Sequence, residues 1–300
     1  GFNILASLDL FKRNPIYRKD REISRSSDFR RFGGPDSRSG FSPYGNIING
    51  LTGITTGATV RPCPPELYSD GLCRYDFNAD LLTAYNGADR ASGMVVGSLK
   101  LPNDIRLTGE VLLAQTKDHF EGHPIPDIFV PPSGDPYFGR FMQGGLRITD
   151  RQSDLSQISL GLEGMVRAIE WKIDAGQGRS KIVSNDQNYF NATLFNVETS
   201  SGAIDPTVLT NNQALVDSLK VTPHREGESS VAFANAKVSG ELGVLSGGPL
   251  GYALGASVWR EKLSDTPDAL TQAGEVMGSI QQAAVNASRF GLQAGIYARD

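Results

Sequence analysis

The segment from His119 to His123 reads HFEGH, and its two imidazoles are four residues apart. On a helix this spacing lets two histidines bind one metal ion. Glu121 is not at the position it has in the HExxH motif of metalloproteases. Gly122 and Pro124 also disfavour a helix. We therefore expect loop histidines in water, and a role in holding a ferric or haem ligand is the alternative.

The two cysteines, Cys63 and Cys73, lie in RPCPPELYSDGLCRYD, among Pro, Gly and Asp residues. No further Cys or His is close enough in sequence to complete a zinc site. We predict a Cys63–Cys73 disulfide that closes a short loop in an oxidising compartment, and two free thiols are the alternative. On the chain-entropy model the bond would stabilise the fold by roughly 2–3 kcal/mol.

The segment 17–32, YRKDREISRSSDFRRF, is basic with acidic residues interspersed. A solvated loop is the simpler interpretation. Contact with anionic lipopolysaccharide or with an anionic ligand is the alternative. Phe41 and Tyr44 follow, and aromatic side chains at these positions would suit stacking on a sugar, although isolated aromatic residues are common in loops.

Sequence motifs for catalysis are missing, since the chain has neither a G-x-S-x-G elbow nor a P-loop. The carboxylates Glu110, Glu163, Glu170 and Glu241 recur on one strand face, and spread over several strands they suit a polar lumen better than a glycosidase pair. We expect no enzyme, no cofactor and no metal. A net charge of -4 argues against a nucleic-acid partner.

Alternation of polar and apolar residues indicates the elements that carry these groups. In segment 237–263, KVSGELGVLSGGPLGYALGASVWREKL, even positions are apolar on both sides of a turn, which places Leu242, Val244 and Leu250 on one face. The same alternation occurs in 2–11, 91–101, 105–113, 155–166, 169–175 and 290–296. It predicts about eight strands, each with one apolar and one polar face.

Connection lengths distinguish between the folds that such strands can build. Tight turns are predicted at 102–104, 167–168 and 246–249, and long connections at 13–90, 118–153, 184–228 and 264–287. Soluble antiparallel sandwiches also have alternating strands, but long connections without regular structure are uncommon in compact soluble domains. The regular exchange of short turns with long loops is typical of an outer-membrane β-barrel. Trp171, Trp259 and Tyr252 would contribute to its aromatic girdle.

Three stretches resemble the barrel of TonB-dependent outer-membrane receptors: DFRRFGGPDSRSGFSPYGNI (28–47), CRYDFNADLL (73–82) and SGELGVLSGGPLGYALGASVWREKLSDTPDALTQAG (239–274). The resemblance covers nearly all 300 residues in layout and is specific only in these stretches. It implies an all-β, antiparallel transmembrane barrel of 22 strands, of which residues 1–300 supply about eight from the N-terminal and middle part. The plug domain and the C-terminal strands would lie outside this piece.

The function implied by the resemblance is uptake of a scarce ligand across the bacterial outer membrane. Siderophores, haem, cobalamin and oligosaccharides are the ligand classes, and the TonB complex supplies energy through the plug. Outer-membrane lipid and lipopolysaccharide would surround the barrel. The alternatives are a secreted β-rich binding protein or adhesin, and a secreted carbohydrate-active enzyme. The only site residues predicted are the disulfide cysteines, Cys63 and Cys73.

Overall fold

A computed structural model of the chain describes residues 1–80, 82–132 and 134–299. Eight long strands form one antiparallel sheet in which spatial order equals chain order. The strands are β1 (Phe2–Arg13), β2 (Gly87–Lys100), β3 (Arg106–Glu121), β4 (Ile148–Val166), β5 (Ile169–Gln187), β6 (His224–Leu245), β7 (Gly248–Pro267) and β8 (Val285–Arg299). Among the described residues the sheet is open, because β1 and β8 are edges that do not pair with each other.

Short and long connections alternate between the strands, as the sequence predicts. The short ones are a 3-10 turn at Pro102–Asp104, the pair Arg167 and Ala168, and the pair Ser246 and Gly247. Because neighbouring strands are antiparallel, these three turns lie at one end of the sheet. The long connections, residues 14–86, 122–147, 188–223 and 268–284, lie at the other end.

Strands β5 and β6 extend further than predicted, to Gln187 and from His224, into what was predicted as a loop. The two strands pair without interruption up to Asn185 and His224. Both of their faces are polar in this region, so the alternation that identifies a strand in sequence is lost although the backbone hydrogen bonds continue.

Apolar side chains share one face of the sheet, which we call the apolar face. Leu107 lies opposite Leu99 and Leu162, and Ile173 lies opposite Leu162 and Ala236. The residues between them, among them the predicted polar positions, form the polar face. The faces expected from the alternation are therefore confirmed by the register, with two exceptions.

The first exception is at the β6–β7 turn. The register shifts between Glu241 and Gly243, which leaves Leu242 in a β-bulge. Leu250 then lies opposite Gly243, and Val244 lies opposite Pro249. The extra residue reverses the alternation, so the prediction that Val244 and Leu250 share a face is wrong.

The second exception concerns the predicted aromatic girdle. Trp171 lies opposite Val238 and belongs to the apolar face, as does Tyr252. Trp259 lies opposite Phe233 and next to the apolar-face residue Val258, so it belongs to the polar face. Its place in the girdle is therefore wrong.

Aromatic residues of the sheet lie over glycines on the neighbouring strand. An alanine Cβ built at Gly176 would be 2.7 Å from the ring of Phe233, and one at Gly291 would be 2.3 Å from the ring of Trp259. Four directly opposite pairs share this arrangement: Gly164–Trp171, Gly176–Phe233, Gly240–Tyr252 and Gly291–Trp259. The ring covers backbone that a glycine would leave bare, which stabilises the pairing at that point.

The long connections fold together, and we call residues 14–86, 122–147, 188–223 and 268–284 the loop layer. A small sheet joins Pro126–Phe129, Tyr137–Arg140, Asn46–Ile48 and Thr55–Thr59, in that order. Three two-stranded pairs accompany it: Ile16–Tyr17 with Thr83–Tyr85, Tyr68–Ser69 with Leu72–Cys73, and Tyr189–Phe190 with Lys220–Val221.

Short helices complete the loop layer: α1 (Phe77–Asp80), α2 (Ala192–Ser201), α3 (Gln213–Ser218) and α4 (Ala269–Ala273). The starts of α2, α3 and α4 follow from capping side chains, since Asn191, Asn212 and Asp268 each accept a hydrogen bond from an N–H group of the first turn. The helices of the described chain lack the length and apolar character that crossing a membrane requires.

The hydrophobic core lies in the loop layer and not on the sheet. Phe129, Phe141, Phe190 and Phe195 pack ring against ring, with centroids 5.1 to 6.5 Å apart. They belong to a buried cluster with Ile125, Tyr137, Ile204, Val216, Leu219 and Met277. Among the buried hydrophobic residues of the described chain, only Ala88 belongs to a long strand. The long connections therefore have regular structure, unlike the open loops that the sequence suggested.

Candidate functional site

The apolar face of the sheet is exposed even at its centre. Ile158, Leu160 and Ile173 on the central strands β4 and β5 are 51%, 58% and 54% exposed. Soluble sheets bury such positions under a second layer. Contiguous exposed apolar surface of this kind marks a region that contacts a partner or a membrane.

The apolar side chains form a belt about four residues deep on each strand, bounded at the loop-layer end by charged groups. We call these groups on the apolar face the charged band. His119 Nδ1 lies 2.7 Å from Asp150, and Arg179 Nη2 lies 2.7 Å from Glu228. The band comprises Gln115, Lys117, His119, Asp150, Gln152, Asp154, Arg179, Lys181, Glu226, Glu228, Arg260 and Lys262. The sequence prediction of uniform faces missed this boundary, although the charges are visible at every second position.

The polar face has an open depression of about 650 Å³ at its loop-layer end. Arg225 Nε donates to Asp265 Oδ1 over 2.7 Å, and the hydroxyl of Thr149 donates to Asp186. The depression is also lined by Arg151, Ser184, Tyr189 and Val285. Serine, threonine and charged groups around such a space can hydrogen-bond a polar ligand.

One arginine of the loop layer, Arg147, lies beside this depression. The guanidinium of Arg147 lies 5.5 Å from the ring centroid of Tyr189, which lines the depression. Arg147 Nε also donates to the backbone oxygen of His123 over 2.9 Å, and Arg140 Nη1 donates to that of Pro124 over 2.6 Å. The 122–147 connection therefore ties two guanidinium groups to consecutive carbonyls.

The ring of Phe77 contacts both Arg140 and His123. The guanidinium of Arg140 lies 4.7 Å from its ring centroid, and the His123 ring meets it edge-on, also at 4.7 Å. Arg18 Nη1 donates to Oδ1 of the adjacent Asn78 over 3.3 Å. We call Arg18, Arg140 and Arg147 the arginine cluster.

Burial and, to a smaller extent, the positive charges of the arginine cluster lower the pKa of His123 to about 4. Burial, together with the charge of Arg147, also lowers the pKa of Arg140 to about 10. His123 is therefore neutral at pH 7 and Arg140 stays charged.

The two predicted loop histidines are separated. His119 is at the end of β3, beside Asp150, and His123 packs in the loop layer against Phe77. The expectation of histidines in water is wrong for His123, because a ring covers it. No group of three or more metal-ligating side chains is found in residues 1–80, 82–132 and 134–299.

Cys63 and Cys73 are bonded in the structure, with their Cα atoms 5.9 Å apart. Cys73 is fully buried, and its backbone N–H and oxygen both bond to the side-chain amide of Asn46, over 2.7 and 2.9 Å. This disulfide closes a short loop within the loop layer. That the bond forms in the isolated protein stays a prediction.

The remaining candidate residues are mostly paired within the chain. In the basic segment 17–32, Arg30 bonds Asp28 at 2.6 Å. Phe41 packs against Phe138, with centroids 5.1 Å apart. On the polar face Glu163 lies 3.3 Å from Arg106. Of the basic segment, only Arg18 joins the arginine cluster.

Comparisons of the chain with protein-family models, with curated proteins and with solved structures found no match. The resemblance to TonB-dependent receptors therefore depends on the three sequence stretches alone.

Proposed function

We propose that the chain forms part of the wall of an outer-membrane β-barrel receptor that imports a scarce ligand with energy from the TonB complex. The observation that carries the proposal is the exposed apolar belt and its edge. In an outer-membrane barrel the belt contacts lipid, the charged band lies beyond it at the headgroups, and the polar face lines the lumen.

The edge of the belt slants across β1 to β5, in the way expected for the tilted strands of a barrel. In the register, Leu10 on β1 lies in the same row as Lys181 on β5, through Ala91, Gln115 and Asp154. Leu10 still belongs to the belt, whereas on β5 the belt ends at Ala175, six residues before Lys181.

Six residues correspond to about 20 Å along a strand, and four strand spacings to about 19 Å across the sheet. The edge is therefore inclined by about 45° to the paired rows, which matches the tilt of strands in membrane barrels. From β5 to β8 the edge of the belt is nearly level, because it stays within about one row of paired residues. A planar apolar layer crossed by tilted strands accounts for the slant over β1 to β5.

The loop layer is the feature that favours a receptor over other outer-membrane barrels. It gathers all four long connections at one end of the sheet, next to the polar depression, and it contains the arginine cluster. Ligand specificity in such a protein would reside there, and siderophores, haem, cobalamin and oligosaccharides remain the ligand classes to test.

The test compares two arginines on β7 of the full-length protein. Leu254→Arg places a charge in the middle of the belt, between Tyr252 and Val258, and should cost about 2–4 kcal/mol of assembly free energy. Ser257→Arg places the same charge on the polar face, opposite Asn235, and should assemble normally.

The measurement is heat-modifiable migration of protein extracted from outer membranes. Reduced assembly of Leu254→Arg alone supports the proposal. Equal assembly of both variants contradicts the lipid contact. Recovery of the unaltered protein from the culture medium as a soluble monomer would favour a secreted binding protein, an adhesin or a carbohydrate-active enzyme instead.

A further inference from the structure

Each arginine of the cluster has N–H groups that make no hydrogen bond to the described residues. Arg140 donates from Nε and Nη1 to the backbone oxygens of Phe41 and Pro124. Arg147 donates from the same two atoms to the backbone oxygen of His123 and to the hydroxyl of Tyr189. Arg18 uses them for Thr83 and Asn78. In all three side chains Nη2 has no acceptor among the described residues. Arg140 and Arg147 are half-buried and Arg18 is exposed.

The described residues place no carboxylate in an ion pair with these three arginines. Within the described chain none of the three guanidinium groups is within 4.0 Å of an Asp or Glu oxygen. Two other arginines on the polar face are paired, Arg225 with Asp265 and Arg289 with Glu261, whereas Arg151, which lines the depression, has no carboxylate oxygen within 4.0 Å among the described residues. The nearby Glu121 is engaged with His119 and with the hydroxyl of Tyr17.

We propose that Arg18, Arg140 and Arg147 bind an oxyanion, the carboxylate or phosphate group of a ligand. A planar guanidinium donates two parallel hydrogen bonds to such a group, and the bonds are strong because both partners are charged. The ring of Phe77 beneath Arg140 and the carbonyls of His123 and Pro124 fix the cluster before a ligand arrives, which reduces the entropy lost on binding.

The site needs only the loop layer and the adjacent end of the sheet. It therefore stands whether or not the apolar face contacts lipid, and binding can be measured separately from transport and from membrane assembly.

The experiment is isothermal titration calorimetry on the purified full-length protein at low salt, with citrate and inorganic pyrophosphate as separate probes. Binding of citrate alone assigns a carboxylate ligand, binding of pyrophosphate alone assigns a phosphate, and binding of both assigns a general oxyanion site. Each of these supports the proposal. Arg140→Gln and Arg147→Gln should each weaken binding about tenfold or more, because each removes charged hydrogen bonds.

Arg140→Gln also removes bonds that hold the 122–147 connection, so Arg18→Gln is the variant that preserves the fold. Its two protein bonds are long, 3.3 and 3.4 Å, and the side chain is exposed. Arg289→Gln is the matched control, since it changes the net charge equally on the same face at a paired arginine. Absence of binding for both probes overturns the proposal, as does an equal loss of affinity in Arg18→Gln and Arg289→Gln.

Discussion

Replacing Gly176 by alanine should destabilise the β5–β6 pair, whereas the same change at Gly178 should not. Both glycines are on β5, two residues apart and on the polar face. An alanine Cβ at 176 would lie 2.7 Å from the ring of Phe233 and 2.8 Å from the backbone oxygen of Ile158. The ring could move aside, but the oxygen belongs to the paired strand β4 and is held by the ladder. At 178 the nearest atoms are 3.6 Å away, which is ordinary contact.

The expected difference follows from opposing terms. Alanine in place of glycine lowers the entropy of the unfolded chain and stabilises by about 0.4–1 kcal/mol where the native conformation accepts it. Overpacking costs about 1–3 kcal/mol. Gly178→Ala should therefore be neutral or slightly stabilising, and Gly176→Ala should lose about 1–2 kcal/mol.

Equilibrium urea unfolding of the purified full-length protein, followed by far-ultraviolet circular dichroism, measures both variants. A lower midpoint for Gly176→Ala, with an unchanged slope, is the expected result. Equal midpoints for the two variants would refute the argument that the Phe233 ring and the strand β4 leave no room for a methyl group.

Three further results are expected. Non-reducing peptide mapping should recover Cys63 and Cys73 in one linked fragment, and two freely alkylated thiols would reject the bond. In the full-length protein on intact cells, a cysteine at Ala269 should react with a membrane-impermeant thiol reagent and one at Ser246 should react only after the outer membrane is opened. Reversed labelling would invert the proposed orientation. The pKa of His123 is lowered to about 4 from 6.5, so the stability from its neutral form is complete above pH 6.5 and is lost as the pH falls towards 4. Because the ring is partly exposed, this loss should be roughly 1–2 kcal/mol. The urea midpoints of wild type and His123→Asn should converge as the pH falls. Midpoints that change in parallel with pH would argue against a contribution of neutral His123 to stability.

The strands and turns could be predicted from the sequence because their signals are local. Alternation along 2–11 or 290–296 fixes the two faces of a strand without reference to its neighbours. The tight turn at Arg167 and Ala168 follows from the two apolar runs on either side of it. Local signals failed where a strand is polar on both faces, as β5 is near Gln187, and where the bulge at Leu242 adds one residue.

The loop layer and its site were decided by tertiary structure. Nothing near Phe141 or Phe195 in sequence shows that these rings pack together, because the strands β4 and β5 separate the two connections that carry them. His123, Arg140 and Arg147 are likewise brought together by hydrogen bonds to consecutive carbonyls, and Arg18 arrives from a connection on the far side of β2 and β3. The sequence alone determined a sheet with an apolar and a polar face. Only the register decided where the belt ends, and only packing between distant connections left three arginines together without a carboxylate.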